Sequence, residues 1–194
     1  MPPEDAKSTK RAEFMRELYQ LWSASLSAAE IDKIIDTAQR QTATGATVFA
    51  SAAPLHHIRT STIRWLPDDW VRDLLWGYVQ KANAQAFNVD VDNHAEMQFT
   101  EYHAAEGGHY DWHHDVNWNG QSDFDRKLSV TVQLSDPADY AGGHFEFDDV
   151  TTNADFISKG TVLVFPSYLR HRVLPVTVGT RRSLVAWFFG PRWK

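Results

Sequence analysis

The chain has 194 residues, close to one typical domain of about 100–200 residues and long enough to bury a sizeable core. With 43% hydrophobic and 23% charged residues, its composition excludes a wholly disordered, collagen-like or coiled-coil chain. A formal charge of −6 argues against a nucleic-acid or anionic-membrane partner held by bulk positive charge, and the lack of cysteine excludes disulfides, thiolate metal sites and cysteine nucleophiles.

Residues 1–10 are polar and without period and read as a flexible tail; residues 11–194 read as a single domain. No apolar run reaches the roughly 18–20 residues of a membrane span, and MPPEDAKSTK lacks the apolar core of a secretion signal. The expectation is a soluble, cytoplasmic protein. From Arg11, the stripe Phe14, Leu18, Leu21 and Trp22 predicts a first helix. Ser27 and Glu30 form a candidate capping box before Ile31, Ile34, Ile35 and Ala38. A third helix is predicted from Asp68 through Val71, Leu74, Leu75, Tyr78, Val79 and Ala82. β-prone pieces lie at 47–51 and 58–65, completing a helical and β support region over 11–95.

Beyond residue 95 short β-prone runs alternate with Gly, Asp, Asn and Pro, the pattern of a sandwich or barrel. Strands are predicted near 97–102, 110–115, 127–134, 143–147, 161–165 and 183–189. In the third of these, Leu128, Val130, Val132 and Leu134 alternate with Ser129, Thr131 and Gln133. One face is apolar and the other polar, which on a central strand predicts a cavity wall. The fold class expected is α+β, with the N-terminal helices packed on one outer face of a core spanning 96–194.

Nine histidines in an acidic, cysteine-free chain prompt a search for metal spacing. In the 110–115 segment, strand alternation turns His113 and Asp115 to one face and His114 to the other. His171, after the Pro166-Ser167 turn, is the best-placed third ligand. Two histidines and a carboxylate form a facial triad that leaves open positions on non-haem Fe(II), although an isolated His-x-Asp is ordinarily a surface or core feature. Ten residues after His171, Arg181 opens a strand and can return to the same pocket to clamp a carboxylate. Arg182 faces the other way, as a solvated or structural charge. Tyr110, Trp112, Trp118 and Tyr168 cluster near these ligands in sequence as a candidate aromatic binding surface, with core packing the equal alternative.

These segments, from Tyr102 through Gly107-Gly108, 110–115, 127–137, 140–145 and 171–187, resemble the 2-oxoglutarate- and Fe(II)-dependent dioxygenases of the prolyl 4-hydroxylase type, especially the PKHD-type branch. The resemblance covers about residues 97–190. It implies a double-stranded β-helix, or jelly roll, with Fe(II) on His113, Asp115 and His171 and the distal carboxylate of 2-oxoglutarate on Arg181. It implies cosubstrate contacts for Tyr102 and, less directly, Gln133 and Thr131. Trp187 matches a family tryptophan near the pocket, and Arg59 and Trp118 are candidates to reach substrate from flanking loops. The implied reaction consumes O2, with ascorbate as a candidate reductant, releases succinate and CO2, and hydroxylates an unactivated C–H, with peptidyl proline the leading target. Against the family, the chain ends at Lys194 without the C-terminal extension associated with the PKHD type, carries an extra N-terminal tail and helix, and has Gln133 where an aromatic residue is common. A homodimer is an open possibility. The competing readings are a hydroxylase of a free amino acid or other small molecule, a non-catalytic jelly-roll binding module, and a zinc hydrolase using the same triad.

Overall fold

The computed structural model describes residues 17–46, 57–67, 69–148, 150 and 156–194. The predicted tail and the β-prone piece at 47–51 lie outside them. In chain order the elements are β1 (Gln20–Trp22), α1 (Ala28–Gln39), β2 (Thr44–Gly45), β3 (Arg59–Thr60), β4 (Thr62–Trp65) and α2 (Asp69–Ala82). The β core follows with β5 (Ala95–His103), β6 (His109–His113), β7 (Phe124–Gln133), β8 (Tyr140–Gly142), β9 (Phe145–Phe147), β10 (Val162–Pro166), β11 (His171–Val173) and β12 (Val176–Pro191).

Among the described residues the strands form two antiparallel sheets. The larger runs β1-β10-β7-β12-β5-β4-β2, with β8 also paired to β12; the smaller runs β3-β6-β11-β9. The chain passes from one sheet to the other at Ser61, so the predicted 58–65 strand is two strands, β3 in the small sheet and β4 in the large one.

Of the first predicted helix, residues 11–16 lie outside the described residues, and Gln20–Trp22 form a strand instead. β1 pairs Gln20 with Val164 and Trp22 with Val162, and the Leu21 and Trp22 side chains join different apolar clusters. Spacing suited to a helix was satisfied by a short strand because its partner, β10, is some 140 residues away and invisible to local periodicity. The other two helices form where predicted. Ser27 caps α1 reciprocally: its Oγ accepts from the Glu30 N–H at 3.3 Å, while Glu30 Oε2 accepts from the Ser27 N–H at 2.8 Å.

α1 buries Ile31, Ile34 and Ala38, and α2 buries Val71, Leu75, Val79 and Ala82, at the three- and four-residue spacing of one helix face. These side chains form one cluster with Phe99 of β5, Leu128, Val130 and Val132 of β7, Val162 and Val164 of β10, and Leu184, Ala186 and Phe188 of β12. Period-two alternation then turns Ser129 and Thr131, together with Gln98, Tyr102, Arg181 and Ser183, toward the opposite side, where the small sheet lies. The cavity predicted from the polar face of β7 is therefore present.

Candidate metal and cosubstrate site

The cavity between the sheets is lined by His113, Asp115, His171, Arg181, Tyr102, Tyr110, Thr131, Arg59 and Trp187, among others. His113 on β6 and His171 on β11 are direct cross-strand partners, with ring centroids 4.2 Å apart. Asp115 lies two residues beyond the end of β6. Its placement comes from the turn rather than from strand alternation: its N–H donates to Ser167 O at 3.0 Å. One ligand atom from each of the three residues falls within 4.8 Å of the others.

The hydrogen bonds around these rings decide what the cluster can hold. His113 Nδ1 donates to Asp111 O at 2.7 Å and His171 Nδ1 donates to Leu169 O at 2.9 Å. A carbonyl partner fixes the proton on Nδ1 and leaves the Nε2 lone pair free. Both Nε2 atoms face the Asp115 carboxylate, at 3.8 Å from Oδ1 and 3.6 Å from Oδ2, too far for hydrogen bonds. Three electron-pair donors thus converge with no proton between them, an arrangement that suits a cation.

Electrostatics point the same way. Burial, followed by the proximity of His171, pushes His113 well below the usual imidazole range, which keeps its lone pair available. Burial raises the Asp115 carboxyl, but the two imidazoles and the Ser129 hydroxyl outweigh it and hold Asp115 below the usual carboxylate range. Ser129 Oγ donates to Asp115 Oδ2 at 2.6 Å and lies 2.9 Å from Ser167 Oγ. Neither serine was singled out as a site residue in the sequence. The polar face of β7 was the available signal for Ser129, whereas Ser167 reaches Asp115 only through tertiary contact. The rings are also wedged in place: Tyr110 stacks on His113 at 3.4 Å, and Phe145 and Phe165 pack on His171 at 5.3 and 4.9 Å. Burial pushes the Tyr110 phenol up to about 12, so it remains neutral.

Arg181 is 4% exposed and pairs in register with Tyr102 of β5. Among the described residues no ion pair involves Arg181. A buried, unpaired guanidinium is costly, and the site is suited to a carboxylate brought from outside. Gly143, at φ +62, makes room for it: a Cβ there would lie 2.9 Å from Arg181 Cδ. Arg182, as predicted, faces away and pairs with Glu101.

The remaining predicted residues separate clearly. Tyr102, Thr131, Tyr110, Arg59 and Trp187 line the cavity with the triad. Gln133 does not; it lines a smaller adjoining cavity shared with Thr131 and Arg181, and its Nε2 donates to Tyr140 Oη at 2.8 Å. Trp112 does not line the cavity and has Arg172 4.4 Å from its ring; the register of β6 against β11 shifts between His113 and Tyr110, which breaks the strict alternation there. Trp118 is 53% exposed and does not line the cavity, and Tyr168 packs on Trp193. His114 points away, its Nδ1 bonded to Tyr168 O.

Residues 97–189 match the family model described as the 2OG-Fe(II) oxygenase superfamily. A PKHD-type hydroxylase of Synechococcus sp. (strain CC9311) is 39% identical over 85 residues, which is 42% of this chain and 36% of that protein. One from Hyphomonas neptunium (strain ATCC 15444) is 37% identical over 87 residues, 43% of this chain and 39% of that protein. The similarity thus spans well under half the length of these curated relatives. Among solved structures, a Pseudomonas putida prolyl-4-hydroxylase superposes with a TM-score of 0.67 at 22% identity, covering 90% of this chain and 93% of that one. A Trichoplax adhaerens prolyl hydroxylase, solved with a hypoxia inducible factor oxygen degradation domain peptide, gives 0.70 at 16% identity, covering 89% and 84%. These likenesses show the jelly-roll fold, and no described helix is long and apolar enough to cross a membrane. The segment that matches the 2OG-Fe(II) oxygenase superfamily model is the one that carries the His-Asp-His cluster and the buried arginine.

Proposed function

We propose that the protein is a 2-oxoglutarate- and Fe(II)-dependent dioxygenase that hydroxylates an unactivated C–H, with a peptidyl proline or other protein residue as the leading target. The observation that carries this reading is one cavity holding both a three-donor cluster suited to a cation and a buried arginine that lacks a carboxylate. When bound, Fe(II) supplies O2 activation coupled to oxidation of 2-oxoglutarate to succinate and CO2. His113 and His171 offer Nε2 and Asp115 a carboxylate oxygen to the metal, and Ser129 orients that carboxylate. Arg181 clamps the distal carboxylate of 2-oxoglutarate, with Tyr102 beside it and Thr131 on the adjoining wall. Gln133 acts from the smaller cavity behind Arg181, and Tyr110, Trp187 and Arg59 face the space left for substrate. The protein supplies positioning rather than acid–base chemistry, holding one C–H toward the metal site and excluding water.

A second reading, oxidation of a free amino acid or other small molecule, is favoured by Arg59, a buried cation without a carboxylate partner in the same cavity. The test is succinate release with Fe(II), 2-oxoglutarate, O2 and ascorbate, across prolyl peptides and free amino acids. Substrate-stimulated succinate accompanied by a hydroxylated product is the expected result. Folded, iron-loaded protein that forms no succinate with or without substrate contradicts the reading.

A further inference from the structure

Arg59 lies on β3 opposite Tyr110 of β6, and its side chain crosses from the small sheet to the large one. It is 8% exposed. Its Nε donates to Ser61 Oγ at 3.0 Å and its Nη2 to Gln98 Oε1 at 2.6 Å, while its plane sits 4.5 Å from the Tyr110 ring. All these partners are neutral, and these two bonds engage only part of a guanidinium with five N–H donors. Among the described residues no ion pair includes Arg59. A second orphan lies on the same lining: Trp187, 6% exposed, has no acceptor for its Nε1–H among the described residues.

Among the described residues Asp115 is the only carboxylate lining the cavity, against two guanidiniums. On the function proposed above, a dication and dianionic 2-oxoglutarate enter as well, and Arg181 takes the distal carboxylate. One positive charge then remains uncompensated in a buried space, at Arg59. Leaving a buried charge unpaired is costly, so the next ligand to enter is favoured if it carries a negative charge. Phe145, Phe165, Val173 and Val185 give the lining an apolar share that suits a compact aliphatic body, beside the neutral polar Gln98, Thr131 and Ser183.

We propose that Arg59 forms a second anion subsite, distinct from that of Arg181, which receives a free carboxylate of the primary substrate a few bonds from the carbon to be oxidised. The substrate is then a free amino acid or the C-terminal residue of a peptide. This rests on the function proposed above and narrows it, because an internal peptide residue has no carboxylate to offer.

The test follows the Trp187 indole N–H by NMR, assigned with Trp187→Phe, in protein loaded with Zn(II) and 2-oxoglutarate so that no turnover occurs. Acetate, L-proline and glycyl-L-proline are titrated beside acetamide, L-prolinamide and glycyl-L-prolinamide. At least one acid should bind about tenfold or more tightly than its amide, and the ratio should collapse toward one in Arg59→Gln. Arg59→Lys, which keeps the charge without the planar fork, should retain part of the preference and serves if the glutamine variant fails to fold. Preference for L-proline over the dipeptide identifies a free amino acid as the source, and the reverse a chain terminus. Equal binding of acids and amides, or no acid binding, overturns the subsite. If the wild-type protein does not bind 2-oxoglutarate, the functional reading has failed instead, and the comparison of acid with amide is then made on the metal-loaded protein alone.

Discussion

Arg181 and Arg182 are neighbours on β12 with opposite surroundings, and they mark the difference between the two sides of the large sheet. On the helix-facing side, Arg182 joins Arg64 around the buried Glu101, and the surrounding surface is closed with Leu128, Val130, Phe99, Leu184 and Phe188 against α1 and α2. On the cavity side, Arg181 is buried more deeply than the partly exposed Arg182, yet among the described residues no ion pair involves it. The same three strands, β5, β7 and β12, build both sides by alternation, so a one-residue slip would exchange them. One side satisfies itself and supplies stability; the other is left incomplete, and that incompleteness is what a metal and two carboxylates would fill.

Mutations that strike one side alone should separate these roles. The largest effect on function is expected for Asp115→Ala, which removes the donor between the two imidazoles: turnover should vanish with metal binding, as read by metal analysis and succinate release. Full retained activity would break the comparison at its centre. The largest effect on stability is expected on the other side. Phe188→Ala empties a fully buried site among α2, β7 and β12 and should cost about 3–5 kcal/mol in denaturant unfolding, with metal affinity of the folded protein little changed.

Arg181→Ala should raise the 2-oxoglutarate requirement about 10–100-fold, the worth of a charge-assisted pair, without matching loss of stability, because no native partner is orphaned. An unchanged requirement would identify a different carboxylate partner. Ser129→Ala should weaken metal binding by about tenfold through a less firmly oriented Asp115, measured by competition with a chelator. The smallest effect concerns the paired carboxylate. Burial raises Glu101, but Arg64 and Arg182 outweigh it and hold it below 4.5. A depressed carboxylate stabilises the fold above its unfolded value and loses that contribution as pH falls through the folded one. Wild-type stability should therefore decline more steeply than that of Glu101→Gln below about pH 4.5, in parallel thermal melts.

The helix-facing side and much of the site were readable in the sequence wherever the signal was local. Ser27 and Glu30, the alternation along β7, the His113-x-Asp115 spacing and the opposite orientations of Arg181 and Arg182 depend on residues a few positions apart. What escaped was set by distant partners. β1 has helical spacing but is held by β10, and β11 is three residues recruited between β6 and β9. Ser129 and Ser167 reach Asp115 only when β7, the 166–170 turn and β6 converge. Trp112 and Trp118 illustrate the converse, since closeness to ligands in sequence did not bring either into the cavity.

The most direct test of the central claim is anaerobic addition of Fe(II) and 2-oxoglutarate, followed by the visible charge-transfer band of their chelate. The expected result is a band that requires both components, is absent in Asp115→Ala and is lost in Arg181→Ala at the same 2-oxoglutarate concentration. No band from folded, iron-loaded wild-type protein, or an undiminished band in Asp115→Ala, would contradict it.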